Sequence, residues 1–247
     1  MNEQHAPVAL VTGGARRIGA AIARTLHGAG YRVAIHYRGS ASDAEALQAD
    51  LVAERAGSAV LFQGELNDTR HLPDLVQGVA DWGGGLDVLV NNASSFYPTP
   101  MGRCGEDDWE ALMGPNLKAP FFLAQAAAPY LRASGGCIVN LGDIHGERPL
   151  KEHPVYSIAK AGNLMMTRAL ARELGPEVRV NGVSPGAILW PESEMDEVRQ
   201  QRILSRTALK RQGNPGDIAR TVLFLVRDAP YVTGQVIAVD GGRTLGN

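Results

Sequence analysis

Apolar and polar positions divide the chain into short, nearly continuous apolar runs separated by longer amphipathic stretches. The runs Val8–Thr12, Tyr31–Tyr37, Ser58–Gly64, Leu86–Asn92, Gly136–Gly142, Val178–Gly186 and Gln235–Gly242 read as seven strands. Helical spacing lies between them, over Ile18–Gly28, Ala41–Arg55, Leu72–Trp82, one long helix through Asp107–Leu131, Pro154–Leu174, Asp196–Leu204 and Pro215–Val226. Strands apolar on both faces that alternate with helices predict a parallel sheet covered on both sides. The stretch Ala187–Glu197, AILWPESEMDE, breaks the pattern and is expected to form a mobile insertion over the strand ends.

The expected fold class is therefore α/β: a Rossmann-like doubly wound parallel sheet of about seven strands flanked by helices, in one domain over residues 1–247. That length is enough for a substantial core. A net charge of −2 gives no electrostatic basis for binding nucleic acid or an anionic membrane. No run approaches the roughly 18 apolar residues of a membrane span. The opening MNEQHAPVALVTGG enters a strand directly and lacks a signal-peptide layout. Cys104 and Cys137 show neither CxxC nor zinc spacing, so the expectation is two reduced thiols in a cytoplasmic protein with no metal.

The first strand runs directly into TGGARRIG, Thr12–Gly19. Gly13 and Gly19 permit a tight turn, and a helix starting near Arg17 and Ile18 offers free N–H groups to phosphate. The second strand ends in HYRGS, where an NAD site usually places an acid for the ribose 2′-hydroxyl. Beside His36 and Tyr37 this chain instead has Arg38 and Ser40, a pair suited to a 2′-phosphate, so NADPH is the expected cofactor. Three further turns follow strands, where ligands bind in such sheets: Glu65 and Leu66; Asn91, Ala93 and Ser94; and Pro185, Gly186 and Ile188.

In YSIAK, Tyr156 and Lys160 stand four residues apart, on one face of a helix. A neighbouring cation lowers a phenol pKa from its reference of about 10 and brings proton transfer within reach of neutral pH. TGGARRIG, NNAS, Asn116 in NLKAPFF, YSIAK, SPG and YVTGQVIAVDGG together resemble the short-chain dehydrogenase/reductase family over essentially the full length. The resemblance implies that Tyr156 is the proton donor, that Lys160 binds the nicotinamide ribose and that Asn116 anchors a relay water. It also implies a homotetramer.

Two positions depart from the family's common pattern. Asp143 stands where most members have serine, thirteen residues before Tyr156, and Arg17 stands where TGxxxGxG has glycine. With HYRGS and NNASSFYPTP, these departures are similar to the pteridine reductase subgroup. That likeness implies that Asp143 partners Tyr156 in proton delivery and that Phe96 stacks on a pterin. Arg17, Ser95, Leu189 and Trp190 are the further expected substrate contacts.

The chemistry of a pterin suits the departure, because reducing its C=N bond requires protonation of a ring nitrogen, which a coupled carboxyl–phenol pair can supply. Asp143 also reads as a turn-capping residue, and Arg17 as an ordinary first-turn arginine. Trp190 either closes over the substrate or anchors its loop. His145 and His153 read as surface histidines, and Trp82 and Trp109 as packing. The expected activity is reduction of a dihydropterin, whether dihydrobiopterin, dihydromonapterin or dihydrofolate. The alternatives are a carbonyl or 3-oxoacyl thioester reductase and a non-catalytic NADPH-binding regulator.

Overall fold

The computed structural model describes residues 6–190 and 196–246. Seven parallel strands form one sheet: β1 Val8–Val11, β2 Arg32–Tyr37, β3 Ala59–Gln63, β4 Val88–Asn91, β5 Cys137–Leu141, β6 Arg179–Pro185 and β7 Val236–Val239. Their order is β3-β2-β1-β4-β5-β6-β7. The direction of winding reverses between β1 and β4, which pair directly through Ala9–Val88, Leu10–Leu89 and Val11–Val90.

β1 shows why the strands are apolar throughout. Ala9 and Val11 enter the core cluster of one face with Ile22, Leu26, Ile218 and Val222. Val8 and Leu10 enter the other with Val76, Leu123, Leu131 and Leu170. A strand with period two and helices on both faces has no solvent side on which to place polar residues. The covering helices are α1 Arg17–Gly28, α2 Ala41–Glu54, α3 Leu72–Gly83, α4 Glu106–Met113, α5 Ala119–Ser134, α6 Pro154–Leu174, α7 Glu197–Ser205 and α8 Pro215–Leu223.

Two expected helices are shorter than their sequence patterns. The stretch expected as one helix through Asp107–Leu131 is split into α4 and α5 by a wide, π-type turn at Gly114–Lys118. Pro115 accounts for the break, since it lacks an N–H and crowds the preceding turn. The α8 pattern likewise ends in a π-type turn, Phe224–Asp228. Trp82 packs against the core under the Arg32 guanidinium, 4.1 Å from its ring. Trp109, by contrast, is largely exposed.

Arg179, at the start of β6, satisfies the carbonyls that the turn after α8 leaves open. Its Nη1 donates to Leu225 O at 2.7 Å and Ala229 O at 3.1 Å, and its Nη2 to Val226 O at 2.8 Å. Arg179→Met keeps the aliphatic stem but removes all three donors. We expect it to lower the unfolding free energy by about 2–3 kcal/mol, read as an earlier urea midpoint with an unchanged slope.

Candidate active site

The reversal between β1 and β4 opens a crevice at the carboxyl ends of the strands. A cleft of about 590 Å³ lies there, lined by Gly13, Ala15–Gly19, His36–Ser40, Gly64–Leu66, Asn92–Ser95 and Pro115. Gly19 lets the turn close, because a Cβ there would sit 2.1 Å from Gly13 O. At the head of α1, Arg16 makes no side-chain cap and the first turn holds no acid, so the helix amino end is open to an anion. Arg17 opens α1 with φ +53°, the left-handed region where the family pattern has glycine. Its Nη2 reaches across to Trp190 O at 3.3 Å.

Around the second strand end, Ser40 is the N-cap residue of α2 but makes no side-chain cap bond, so its hydroxyl is not used by the helix. Arg38 pairs loosely with Glu65, Nη1 to Oε2 at 3.5 Å, with both side chains largely exposed. Tyr37 and Leu66 line the cleft beside them. An uncommitted hydroxyl, a helix amino end and a displaceable guanidinium together fit a phosphate on the adenosine ribose.

His36 holds this region together. Gly13 N–H donates to Nδ1 at 3.3 Å, and Nε2 lies 3.2 Å from Gly64 O. The amide requires a lone pair on Nδ1, so the proton sits on Nε2 and donates to the carbonyl. Burial drives the ring's pKa down to about 4, with the Gly64 carbonyl and Glu65 opposing. Neutral His36 thus clamps the glycine turn to the loop after β3.

Deeper in the site, Tyr156 Oη donates to Asp143 Oδ2 at 2.8 Å. Asp143 Oδ1 accepts from His145 N at 2.8 Å, so the carboxylate caps its turn and engages the phenol at once. Lys160 Nζ donates to Leu141 O at 2.9 Å and lies 5.7 Å from the Tyr156 ring. Burial lowers its pKa to about 8, against the raising effect of Asp143. The expected lowering of the Tyr156 pKa does not occur in this state. Burial first, then the Asp143 charge and hydrogen bond, push it well above the usual phenol value, with the Ser94 hydroxyl opposing. The phenol therefore stays protonated.

Asn116 lies in the π-type turn, fully enclosed. Its Nδ2 donates to Ser95 O at 2.8 Å and Leu112 O at 2.9 Å, and its Oδ1 accepts from Ser94 Oγ at 2.7 Å. Asn91 differs from expectation. As the last residue of β4 its side chain turns inward, and Nδ2 donates to Asn140 Oδ1 at 2.9 Å. The asparagine that meets the cleft is Asn92, whose Nδ2 donates to Thr12 O and Gly13 O at 2.9 and 3.0 Å.

Phe96 is 51% exposed, standing edge-on to Tyr156 at 4.8 Å and stacked on His153 at 4.7 Å. His153 is therefore a wall of the site rather than a plain surface histidine. Its place three residues before Tyr156, at the head of α6, was the available signal. Across the site, Pro185 ends β6 and Gly186 follows, while the Ile188 side chain joins the core with Val183 and Ile218. That leaves only the Ile188 backbone for a cofactor. Leu189 is partly exposed; the expected insertion over the strand ends falls partly on 191–195, outside the described residues. Among the described residues no cluster of His, Cys, Asp and Glu could hold a metal, and no helix is long and apolar enough to cross a membrane.

A family model described as Enoyl-(Acyl carrier protein) reductase matches residues 13–244. The chain belongs to the short-chain dehydrogenase/reductase family. Among its relatives, pteridine reductase 1 of Leishmania tarentolae is 37% identical, with 97% of each chain covered. A 3-oxoacyl-(acyl-carrier-protein) reductase of Staphylococcus aureus is 38% identical, covering 95% of this chain and 96% of the relative. Another from Synechocystis is 35% identical over 97% and 98%. The chain is thus an oxidoreductase of a family whose reductases use nicotinamide cofactors.

The His36 clamp generates a pH test. In the folded chain His36 binds its proton only near pH 4, and in the unfolded chain near 6.5, so between these values the unfolded state binds more protons. Its contribution is complete above pH 6.5 and falls as pH drops through this window, by about 3 kcal/mol in all. His27, whose pKa burial also lowers, adds a parallel loss. Urea unfolding at pH 7 and pH 4.5 should show a smaller acid loss in His36→Gln than in the wild type.

Proposed function

We propose that the chain reduces a dihydropterin to its tetrahydro form with NADPH. The observation that carries this reading is the 2.8 Å Tyr156–Asp143 hydrogen bond beside the half-exposed ring of Phe96. A carbonyl reductase needs a hydroxyl donor next to its tyrosine. A carboxylate there suits protonation of a ring nitrogen, with the phenol and carboxyl holding the transferable proton between them. The stack of His153 on Phe96 covers one face of the ring and stiffens it. A flat aromatic substrate that stacks at this ring gains about 0.5–1.5 kcal/mol beyond its burial.

NADPH supplies the hydride when bound. The head of α1 and Arg17 would hold its pyrophosphate, Arg38 and Ser40 its 2′-phosphate, and the Ser184–Gly186 turn its nicotinamide side. Lys160 would hold the ribose and would present its charge behind Tyr156. Ser94, fixed by Asn116, lies beside the phenol. Ser95, Leu189 and Trp190 border the substrate, and Arg17 joins the two ligands. Re-protonation of the Tyr156–Asp143 pair comes from water at the open mouth, with Asn116 as the anchor of that relay.

The second reading, reduction of a 3-oxoacyl thioester, draws on the relatives of similar identity. NADPH oxidation with dihydrobiopterin, run beside an acetoacetyl thioester, separates the two. We expect turnover of the pterin and a loss of at least 100-fold in kcat for Asp143→Ser, the range of one acid–base group. Turnover of the thioester alone, preserved or improved in Asp143→Ser, would overturn the pterin reading.

Cofactor choice is tested separately. Arg38→Ala should raise the KM for NADPH about 10- to 100-fold while leaving that for NADH within about twofold, the scale of one charge-assisted phosphate contact.

A further inference from the structure

The turn that follows β7 brings to the site a cation that the reading above leaves unused. Asp240 accepts from Gly242 N, Thr244 N and Thr244 Oγ1, each at 2.8 Å, and so knots the chain into a short helical turn at Arg243–Leu245. Two contacts tie this knot to the site. Gly186 packs so closely on it that a Cβ would lie 2.6 Å from Asp240 Cα. On the other side Arg148, five residues after Asp143, donates from Nη1 to Gly246 O at 3.5 Å. The knot is thus held between the Ser184–Gly186 turn and the Asp143 loop.

Arg243 extends from this knot. It is only partly exposed, and among the described residues its guanidinium makes no hydrogen bond and no ion pair. The charges that act on it are those of Asp143, Arg206 and Asp240. Burial lowers its pKa, and Asp143 is the first group to oppose that. Asp143 does not consume the donors: it accepts from Tyr156 and from His145 N, and no hydrogen bond or ion pair joins it to Arg243. Arg206, exposed at the end of α7, adds a second positive charge to the same rim. Oriented guanidinium donors with no internal acceptor, beside a site that takes a small molecule, form a receptor for an oxyanion.

We propose that Arg243 is a specificity-determining residue that binds an anionic oxygen on the part of the substrate projecting from the site, away from the atom being reduced. The inference rests on the reductase reading and extends it to the substrate's tail. On a pterin the anion is a carboxylate, such as that of the glutamyl tail of dihydrofolate. On a thioester it is the phosphate of a pantetheine-type carrier.

Steady-state kinetics with dihydrofolate and with dihydrobiopterin, whose tail is uncharged, test this in the wild type, Arg243→Ala and Arg243→Lys. Arg243→Ala should raise the KM for dihydrofolate about tenfold, with kcat within about twofold, and leave the KM for dihydrobiopterin within about twofold. Arg243→Lys should recover part of the loss. Equal losses with both pterins, or no change with dihydrofolate, would overturn the proposal, and a urea midpoint for each variant separates a folding defect from a binding one. If only thioesters are turned over, the pterin reading has failed, and the same split is read between acetoacetyl-coenzyme A and the uncharged N-acetylcysteamine thioester. A tenfold KM effect confined to the phosphorylated substrate supports Arg243 as the anion receptor, and an equal effect on both, or none, sinks it.

Discussion

Hydrogen bonds of buried polar side chains hold the elements of the site in register. A ladder of enclosed side chains crosses the molecule under the cleft. Asn91 donates to Asn140, Asn140 Nδ2 to Thr167 Oγ1 at 3.0 Å, and Thr167 Oγ1 to Asn163 O at 2.9 Å. Asn163 Nδ2 then donates to Asn116 O at 3.1 Å. These rungs join β4 and β5 to α6 and to the π-type turn. They set Tyr156 and Lys160, on α6, against Ser94 and Ser95, beyond β4, to within hydrogen-bond tolerance. Replacing one rung strands its neighbours in the interior, so the ladder behaves as one element.

Burial acts on the titratable groups of the site in a single direction. The lysine and the histidine lose proton affinity and the tyrosine loses acidity, so each is driven toward its neutral form. Lys160 keeps its head on a backbone carbonyl and His36 divides its ring between an amide and a carbonyl. Asp143 differs in acting only as an acceptor, from a phenol and from a backbone amide. The acceptor of the site is thus set directly against the Tyr156 hydroxyl.

Much of this was legible in the chain. Seven apolar runs and their intervening helices were readable because a sheet covered on both faces leaves no polar register to confuse the pattern. TGGARRIG and HYRGS located the lining of the cleft because glycine turns and strand ends are local properties. What was hidden depends on direction and on distant partners. Asn91 and Asn92 are adjacent and chemically identical, and only the end of β4 decides which faces the core. The break at Gly114–Pro115 was a visible signal overridden by the apolar periodicity around it. The contact of Phe96 with His153 joins residues 57 positions apart, and the acidity of Tyr156 is set by enclosure, which spacing does not report.

Arg17 carries a backbone geometry made for a residue without a side chain. At φ +53° an arginine holds conformational strain of about 1–3 kcal/mol that glycine would largely relieve. Position 17 is thus a site where fitness and thermodynamic robustness are set against each other. A library selected only for heat resistance would drift there toward glycine, and would in doing so dissolve the link between α1 and the loop at Trp190. Arginine at position 17 exchanges backbone ease for a tie between two segments 173 positions apart.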